Sequence, residues 1–306
     1  MSDFYDVIVI GGGAAGSSAA YFTASRQWRT LVIDKGTGDG YLGSFGMVCQ
    51  FPGFPEGLSG GEIIGRMRKQ FEQAGGFTKP LNVDGIEPET NRHRVKAGSE
   101  TFEGRVVILA TGSAERTGYL TGEKEFFGRG VYHDAKTDGP CVAGEQVAII
   151  GKCKLAAEEA LFLSRYVQQI HFVIPSNRLD IDGKHFTQVQ HDRKIELHIS
   201  TSIKTINGTD WVDSITVFSG GQEKQIPVKT VFTYMHEYQP MNQFLKNVVQ
   251  IAPNGAVMVG EQLETSVPGV LACGDILCGK PQLPAIAVAQ GTLAGMSADQ
   301  YLQTKK

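Results

Sequence analysis

Asp6-Val7-Ile8-Val9-Ile10-Gly11-Gly12-Gly13-Ala14-Ala15-Gly16 couples a short run of β-branched residues to a glycine-rich turn. Such a run, closed at once by glycine, reads as a buried parallel strand. The Ala/Ser-rich segment from Ser17 to Ser25 reads as a helix, and Thr30-Leu31-Val32-Ile33 as the next strand, ending in Asp34. Each glycine in the turn has a separate use: Gly11 for the tight bend, Gly13 for close backbone approach to a pyrophosphate, Gly16 for packing helix on strand. Asp34, at the end of the next strand, stands where an acid binds ribose hydroxyls, and the helix N-terminus faces the phosphates. The expectation is a dinucleotide-binding unit at the N-terminus.

The pattern restarts about 140 positions later. Gln146-Val147-Ala148-Ile149-Ile150 is a second buried strand, followed by Gly151, a helix over Leu155–Gln168 and a strand, Ile170–Ile174, stopped by Pro175. Alternating segments near 195–199, 215–218 and 226–233 complete this second unit. The strand Arg105–Ala110, closed by Thr111-Gly112, and the segment Gly269–Asp275 with a final helix to Leu302 belong to the first. The fold class is therefore α/β, two dinucleotide-binding domains with the second inserted into the first, divided at 1–114, 115–240 and 241–306.

A net charge of −3 gives no long-range attraction to nucleic acid or anionic lipid, so neither is expected as a partner. No apolar run reaches the roughly 18 residues that a membrane span needs. The chain moves from Met1 straight into a strand pattern, without a secretory signal. Cys49, Cys141, Cys153, Cys273 and Cys278 show neither metal-ligand spacing nor a dense disulfide framework. A reducing cytoplasm fits, where a disulfide is more often catalytic than structural. No metal site follows from spacing.

Ala110-Thr111-Gly112 and Gly274-Asp275 resemble the fingerprints of two-dinucleotide-domain flavoproteins, and the resemblance to thioredoxin-reductase-type members covers essentially the whole chain. It implies bound FAD and a homodimer. Gly11, Gly13, Ala14, Ala15, Gly16, Asp34 and Lys35 would then hold the adenylate half. Cys49, Val83, Ala110, Thr111, Gly112, Gly274, Asp275, Pro284 and Ala285 would lie along the rest of FAD, with Asp275 on the ribityl chain.

The same resemblance exposes departures. Gly128-Arg129-Gly130-Val131 and Asp138-Gly139 match the flanks of that family's redox dithiol, but the four residues between are Asp134-Ala135-Lys136-Thr137, without sulfur. In the second glycine turn, Gly151-Lys152-Cys153-Lys154-Leu155-Ala156, Cys153 puts a side chain where the family brings backbone against a pyrophosphate. Ile174-Pro175-Ser176 replaces the cationic clamp for the 2′-phosphate of NADPH, leaving Arg178 as the nearest substitute, and Met235–Asn242 replaces a third nucleotide segment. NADPH is not expected.

Met47-Val48-Cys49-Gln50-Phe51-Pro52-Gly53 resembles the segment that lines the flavin ring, and Cys278 lies three residues past Asp275. The pair Cys49–Cys278 is one expectation, if their Cα atoms come within about 7 Å. Cys273–Cys278 is its rival, while Cys141 and Cys153 read as structural. Lys280 would favour a Cys278 thiolate. Together these changes resemble the diflavin-linked disulfide oxidoreductases, which implies a second FAD floored by aromatics such as Phe45, Phe51, Tyr132, Tyr234 or Tyr238. His133 and His236 read as hydrogen-bonding side chains. The expected function is an FAD-dependent oxidoreductase of thiols and disulfides, independent of pyridine nucleotides, acting on a thiol/disulfide substrate or a small redox protein. A ferredoxin-type donor driving reduction of a partner, and a flavin-binding sensor without catalysis, are the other readings.

Overall fold

The structure is a computed structural model that describes residues 3–36, 40–48, 51–115, 120–235, 238–277 and 283–304. The chain divides into two compact units, Met1–Ser44 with Ser59–Glu115 and Tyr238–Lys306, and Phe45–Leu58 with Arg116–Glu237.

The first unit is built on a sheet in which Phe77–Pro80, Thr30–Asp34, Asp3–Ile10 and Glu100–Leu109 run parallel in that spatial order. Glu100–Leu109 branches the sheet. Its first half pairs antiparallel with His93–Ala97, and its last three residues pair parallel with Val270–Ala272. The carboxyl-terminal halves of the two central strands, Val7–Ile10 and Val106–Leu109, are wholly apolar and buried because both faces are covered there, as a parallel sheet requires. On one face the helix Ala14–Ser25 crosses the final helix Pro284–Thr304 at close quarters. A Cβ on Gly291 would lie 2.1 Å from the carbonyl oxygen of Ala15, so only glycine permits that approach.

The second unit repeats the theme with five parallel strands, ordered Ile195–Ile199, Gln169–Ile174, Gln146–Ile150, Thr230–Thr233, Val131–Tyr132. An antiparallel meander, Ser202–Gly208, Val212–Ser219 and Gln222–Pro227, packs beside it around Ile206, Ile215, Val217 and Ile226. The helix expected over 155–168 is shorter, Lys154–Leu163, with Ser164 as its C-cap.

One segment groups differently from the expected division. Residues 45–58, expected in the first domain, group with the second unit. The Phe45 ring meets Phe127 edge-on at 5.4 Å, and Gly46 lies so close to Gly128 that a Cβ would stand 1.9 Å from its carbonyl oxygen.

Candidate functional site

The carboxyl ends of the first unit's central strands carry the glycine turn. Gly11 (φ +104°) donates its amide to Ile33 at 2.9 Å, and a Cβ there would strike the Ala110 carbonyl oxygen at 2.4 Å. Gly16 is tighter still, its hypothetical Cβ 1.8 Å from the Gly11 oxygen. Gly13, by contrast, has no atom within 4 Å of that position and faces open space. Gly13 is also the N-cap of the helix Ala14–Ser25 and supplies no side-chain cap, so the first-turn amides are available to an anion. Asp34 closes the turn from the neighbouring strand, its carboxylate accepting from the amides of Gly12 at 2.7 Å and Gly36 at 3.0 Å. Lys35 beside it is exposed.

Further along the same edge, Thr111 donates to the Met241 carbonyl at 2.7 Å, and Met241 donates back to Gly112 at 3.0 Å. Gly274 (φ +79°) packs its backbone on Ala15 and donates to Gln290 at 2.9 Å. Asp275 follows, its pKa raised by burial. Pro284 and Ala285, both partly exposed, begin the final helix. Val83 packs in the core with Ile10, Leu31 and Ile33. A gap for phosphates, an acid for hydroxyls and a second acid at the far end fit FAD.

The corresponding turn of the second unit is built otherwise. Cys153 is the uncapped N-cap of the helix Lys154–Leu163, and residue 180 forms a bridge beside it, Asp180 donating its amide to the Lys152 carbonyl at 2.7 Å. Lys152 pairs with Asp180 at 3.1 Å, Arg178 with Asp180 at 3.7 Å, and Lys154 with Glu158 and Asp182, each at 3.7 Å. Every cation of this turn already faces a carboxylate.

Within the same unit, Asp134–Asp138 forms a pinned turn. The Ala135 amide donates to Glu159 at 2.6 Å and to the Tyr234 hydroxyl at 3.1 Å, and Tyr234 donates to Glu159. Burial, reinforced by Asp134, pushes Glu159 up to about 6. Asp138 is buried with no hydrogen-bond partner for either carboxyl oxygen among the described residues. Burial first, then Asp134 and Glu159, holds its pKa well above the carboxylate range. Asp138 opens a short turn of 3₁₀-helix, Gly139–Val142, in which Cys141 is disulfide-bonded.

The sequence profile of the pyridine nucleotide-disulphide oxidoreductase family matches residues 5–291. The chain belongs to that family. Its sequence is 32 % identical over 305 residues to the thioredoxin reductase of Aquifex aeolicus, covering 99 % of this chain and 94 % of the relative. Among solved structures, thioredoxin reductase from Streptococcus pyogenes superimposes with a TM-score of 0.93 at 25 % identity, over 99 % of this chain and all of the other. A thioredoxin reductase from Gloeobacter violaceus gives 0.59 at 29 % identity, over 99 % and 96 %. The protein is thus a flavin-dependent enzyme of the disulfide oxidoreductase class with two dinucleotide-binding domains.

As an oxidoreductase of this family the chain places its sulfurs unevenly. Cys273 is a free thiol, fully buried among Val9, Ala19 and Leu271, and burial pushes it up to about 12. That is the environment of an inert core thiol, so the structure removes Cys273 from the expected pair. Cys153 is also a free thiol. Cys49, Cys278, Lys280 and His236 lie outside the described residues. Cys141, expected to be structural, is disulfide-bonded, alone in that among the described cysteines.

Of the aromatics expected under a second ring, Phe51 packs on Phe54, Tyr132 on Phe232, and Tyr234 bonds Glu159 through its hydroxyl. Tyr238 has no described side chain. His133 meets Glu123 at 3.0 Å, a hydrogen-bonding role as expected. Glu159 and Asp180 were missed, because a helical glutamate and a loop aspartate carry no sequence signal of what they will cap or bridge. No helix among the described residues is long and apolar enough to cross a membrane.

Proposed function

We propose that this chain is an FAD-dependent thiol/disulfide oxidoreductase that takes no electrons from NADPH and works through a cysteine pair containing Cys141. The bonded state of Cys141 carries the reading. Of five cysteines, two are free thiols and Cys141 is bonded, which leaves Cys49 and Cys278 as candidates for its partner. Cys49 is favoured, because residues 45–58 belong to the same compact unit as Cys141. The earlier pairing of Cys49 with Cys278 gives way to this one. Cys141 follows closely on the segment whose relatives hold the dithiol, and the segment around Cys49 resembles the one lining the flavin.

FAD, when bound along Gly11–Gly16, Asp34 and Asp275, supplies the two-electron chemistry. The chain's part is sulfur exchange. A thiolate of a dithiol substrate attacks the protein disulfide, whose S–S bond breaks as a mixed disulfide forms and one protein thiolate leaves. The second substrate thiolate then breaks the mixed bond. The substrate ends as a disulfide and the protein pair as two thiols, which take up the two protons given off. A small thioredoxin-like protein suits as substrate, given the names of the relatives.

Against NADPH stand Asp180 and Asp182, whose carboxylates hold Lys152, Lys154 and Arg178 in the turn where phosphates would bind. Thiol counting in denaturant tests the reading. Three thiols are expected before reduction, five less the bonded two, and five after it. Five thiols in the oxidised protein, or rapid bleaching of the flavin by NADPH, overturns it. A flavin-to-protein ratio near one is expected from the first glycine turn, and a ratio near two extends the reading to a second FAD.

A further inference from the structure

Spacing along the chain suggested no metal ligands, but the strand register of the second unit creates a set. His171 on the strand Gln169–Ile174 is the direct partner of Glu196 on the strand Ile195–Ile199, and His198 pairs opposite Val173 two positions on. Alternation along a strand puts His171, Glu196 and His198 on one face of the sheet. His171 Nδ1 lies 3.2 Å from His198 Nε2 and 3.2 Å from Glu196 Oε2, and His198 Nε2 lies 3.5 Å from Glu196 Oε1. These three ligand groups converge on one point.

A neutral imidazole carries one N–H, shared between two ring nitrogens. A single His171 Nδ1–H reaches both the Glu196 carboxylate and a bare His198 Nε2, each at 3.2 Å, and leaves no donor on the 3.5 Å edge between His198 and Glu196. A cation engages all three edges at once. Ligands 2.0–2.2 Å from a tetrahedral zinc ion stand about 3.4 Å from one another, which is the spacing seen.

We propose that His171, Glu196 and His198 bind a divalent first-row transition ion, with Zn²⁺ the best match to two imidazoles and a carboxylate. The imidazoles are mostly buried, side-chain exposures 13 % and 15 %, while Glu196 is 51 % exposed, which leaves an entry path and a fourth position for water. The ion clips two adjacent parallel strands together and has no part in sulfur chemistry. Lys224 on the neighbouring meander acts electrostatically on both imidazoles, so it tempers affinity without occupying a ligand position.

The test uses the full flavoprotein with its accessible thiols alkylated, so that no cysteine competes for metal. Calorimetric titration with Zn²⁺ is expected to saturate at one ion per chain. Co²⁺ in the same protein is expected to give the visible bands of four-coordinate cobalt. His171→Ala, Glu196→Gln and His198→Ala should each weaken Zn²⁺ binding at least about 100-fold, since even outer-shell partners of a metal cost 10–100-fold. His185→Ala, at a partly buried histidine paired with Asp182, should bind as the parent does. Circular dichroism and flavin content of each variant establish that it is folded. Absence of saturable binding in the parent, or equal binding by folded His171→Ala and His198→Ala, overturns the proposal.

Discussion

The two glycine turns, Gly11–Gly16 and Gly151–Ala156, sit on the same strand–turn–helix scaffold and have been put to opposite use. In the first, two glycines are locked by sterics while Gly13 faces open space, and the helix amides have no side-chain cap. In the second, a cysteine holds the cap position and the segment around Asp180 is bridged across it, with lysines and arginine paired to carboxylates. A helix N-terminus attracts phosphate only where its amides can be reached and no carboxylate stands nearer. The scaffold is a poor guide to ligand; the side chains that cross the turn decide.

The largest effect is expected where packing and binding are separable. Gly16→Ala puts a methyl 1.8 Å from a backbone oxygen, so helix and strand must move apart, at a cost of roughly 3 kcal/mol. Flavin content and yield of folded protein should both collapse. Gly13→Ala adds a methyl to empty space at a backbone φ of −69°, which alanine adopts without strain. Apoprotein stability should stay within about 0.5 kcal/mol of the parent, while flavin affinity drops at least about tenfold. Equal flavin retention in both variants would remove the case for a phosphate at Gly13.

Much of this was legible in the chain. The β-branched runs ending in glycine gave both parallel sheets, because strands covered on both faces must be apolar throughout. The first site was readable since its signals are glycines and acids at fixed offsets. Three things were not. The segment 45–58 packs by aromatic and glycine contacts with residues some eighty positions away, which no local pattern reports. Glu159 reads as an ordinary helical glutamate until the fold brings the Ala135 amide to it. The bonded Cys141 stood outside any motif, so resemblance steered attention to Cys49, Cys273 and Cys278.

Next in size is the sulfur itself. Cys141→Ser should show four thiols in denaturant both before and after reduction, and slow the single-turnover oxidation of a dithiol substrate by the oxidised protein at least about 100-fold, roughly 2.7 kcal/mol of barrier. Flavin content should be retained. Turnover at the parent's rate would place the working sulfurs elsewhere. A smaller change is expected in the second glycine turn. Asp180→Asn with Asp182→Asn releases Lys152 and Arg178 from Asp180 and Lys154 from Asp182, leaving Lys154 paired only with Glu158. Affinity for adenosine 2′,5′-bisphosphate, followed by calorimetry, should rise about tenfold, in keeping with surface charges worth 1 kcal/mol or less each. No change would mean that the path of the backbone, not the charges, closes the turn.

The smallest effect concerns the pinned turn that leads to Cys141. Glu159 keeps its proton up to about pH 6 in the folded chain, against an ordinary value of 4.5. Between those values the native state binds more protons than the unfolded state, so this group's stabilisation is full below pH 4.5 and fades as pH rises towards 6. The shift of about 1.5 units sets a ceiling near 2 kcal/mol, and relaxation of the site brings the expected change to about 1 kcal/mol. Glu159→Gln keeps an oxygen to accept from Ala135 but cannot titrate, so urea midpoints measured between pH 4.5 and 6 should lose that slope relative to the parent. Asp138 is raised in the same direction and in part by Glu159, so loss of that carboxylate lowers Asp138 and removes a further share of the same slope. Parallel slopes would mean that Tyr234 and the Ala135 amide already hold Glu159 ionised at pH 4.5, and that the turn is fixed by hydrogen bonds to a carboxylate instead of a neutral acid.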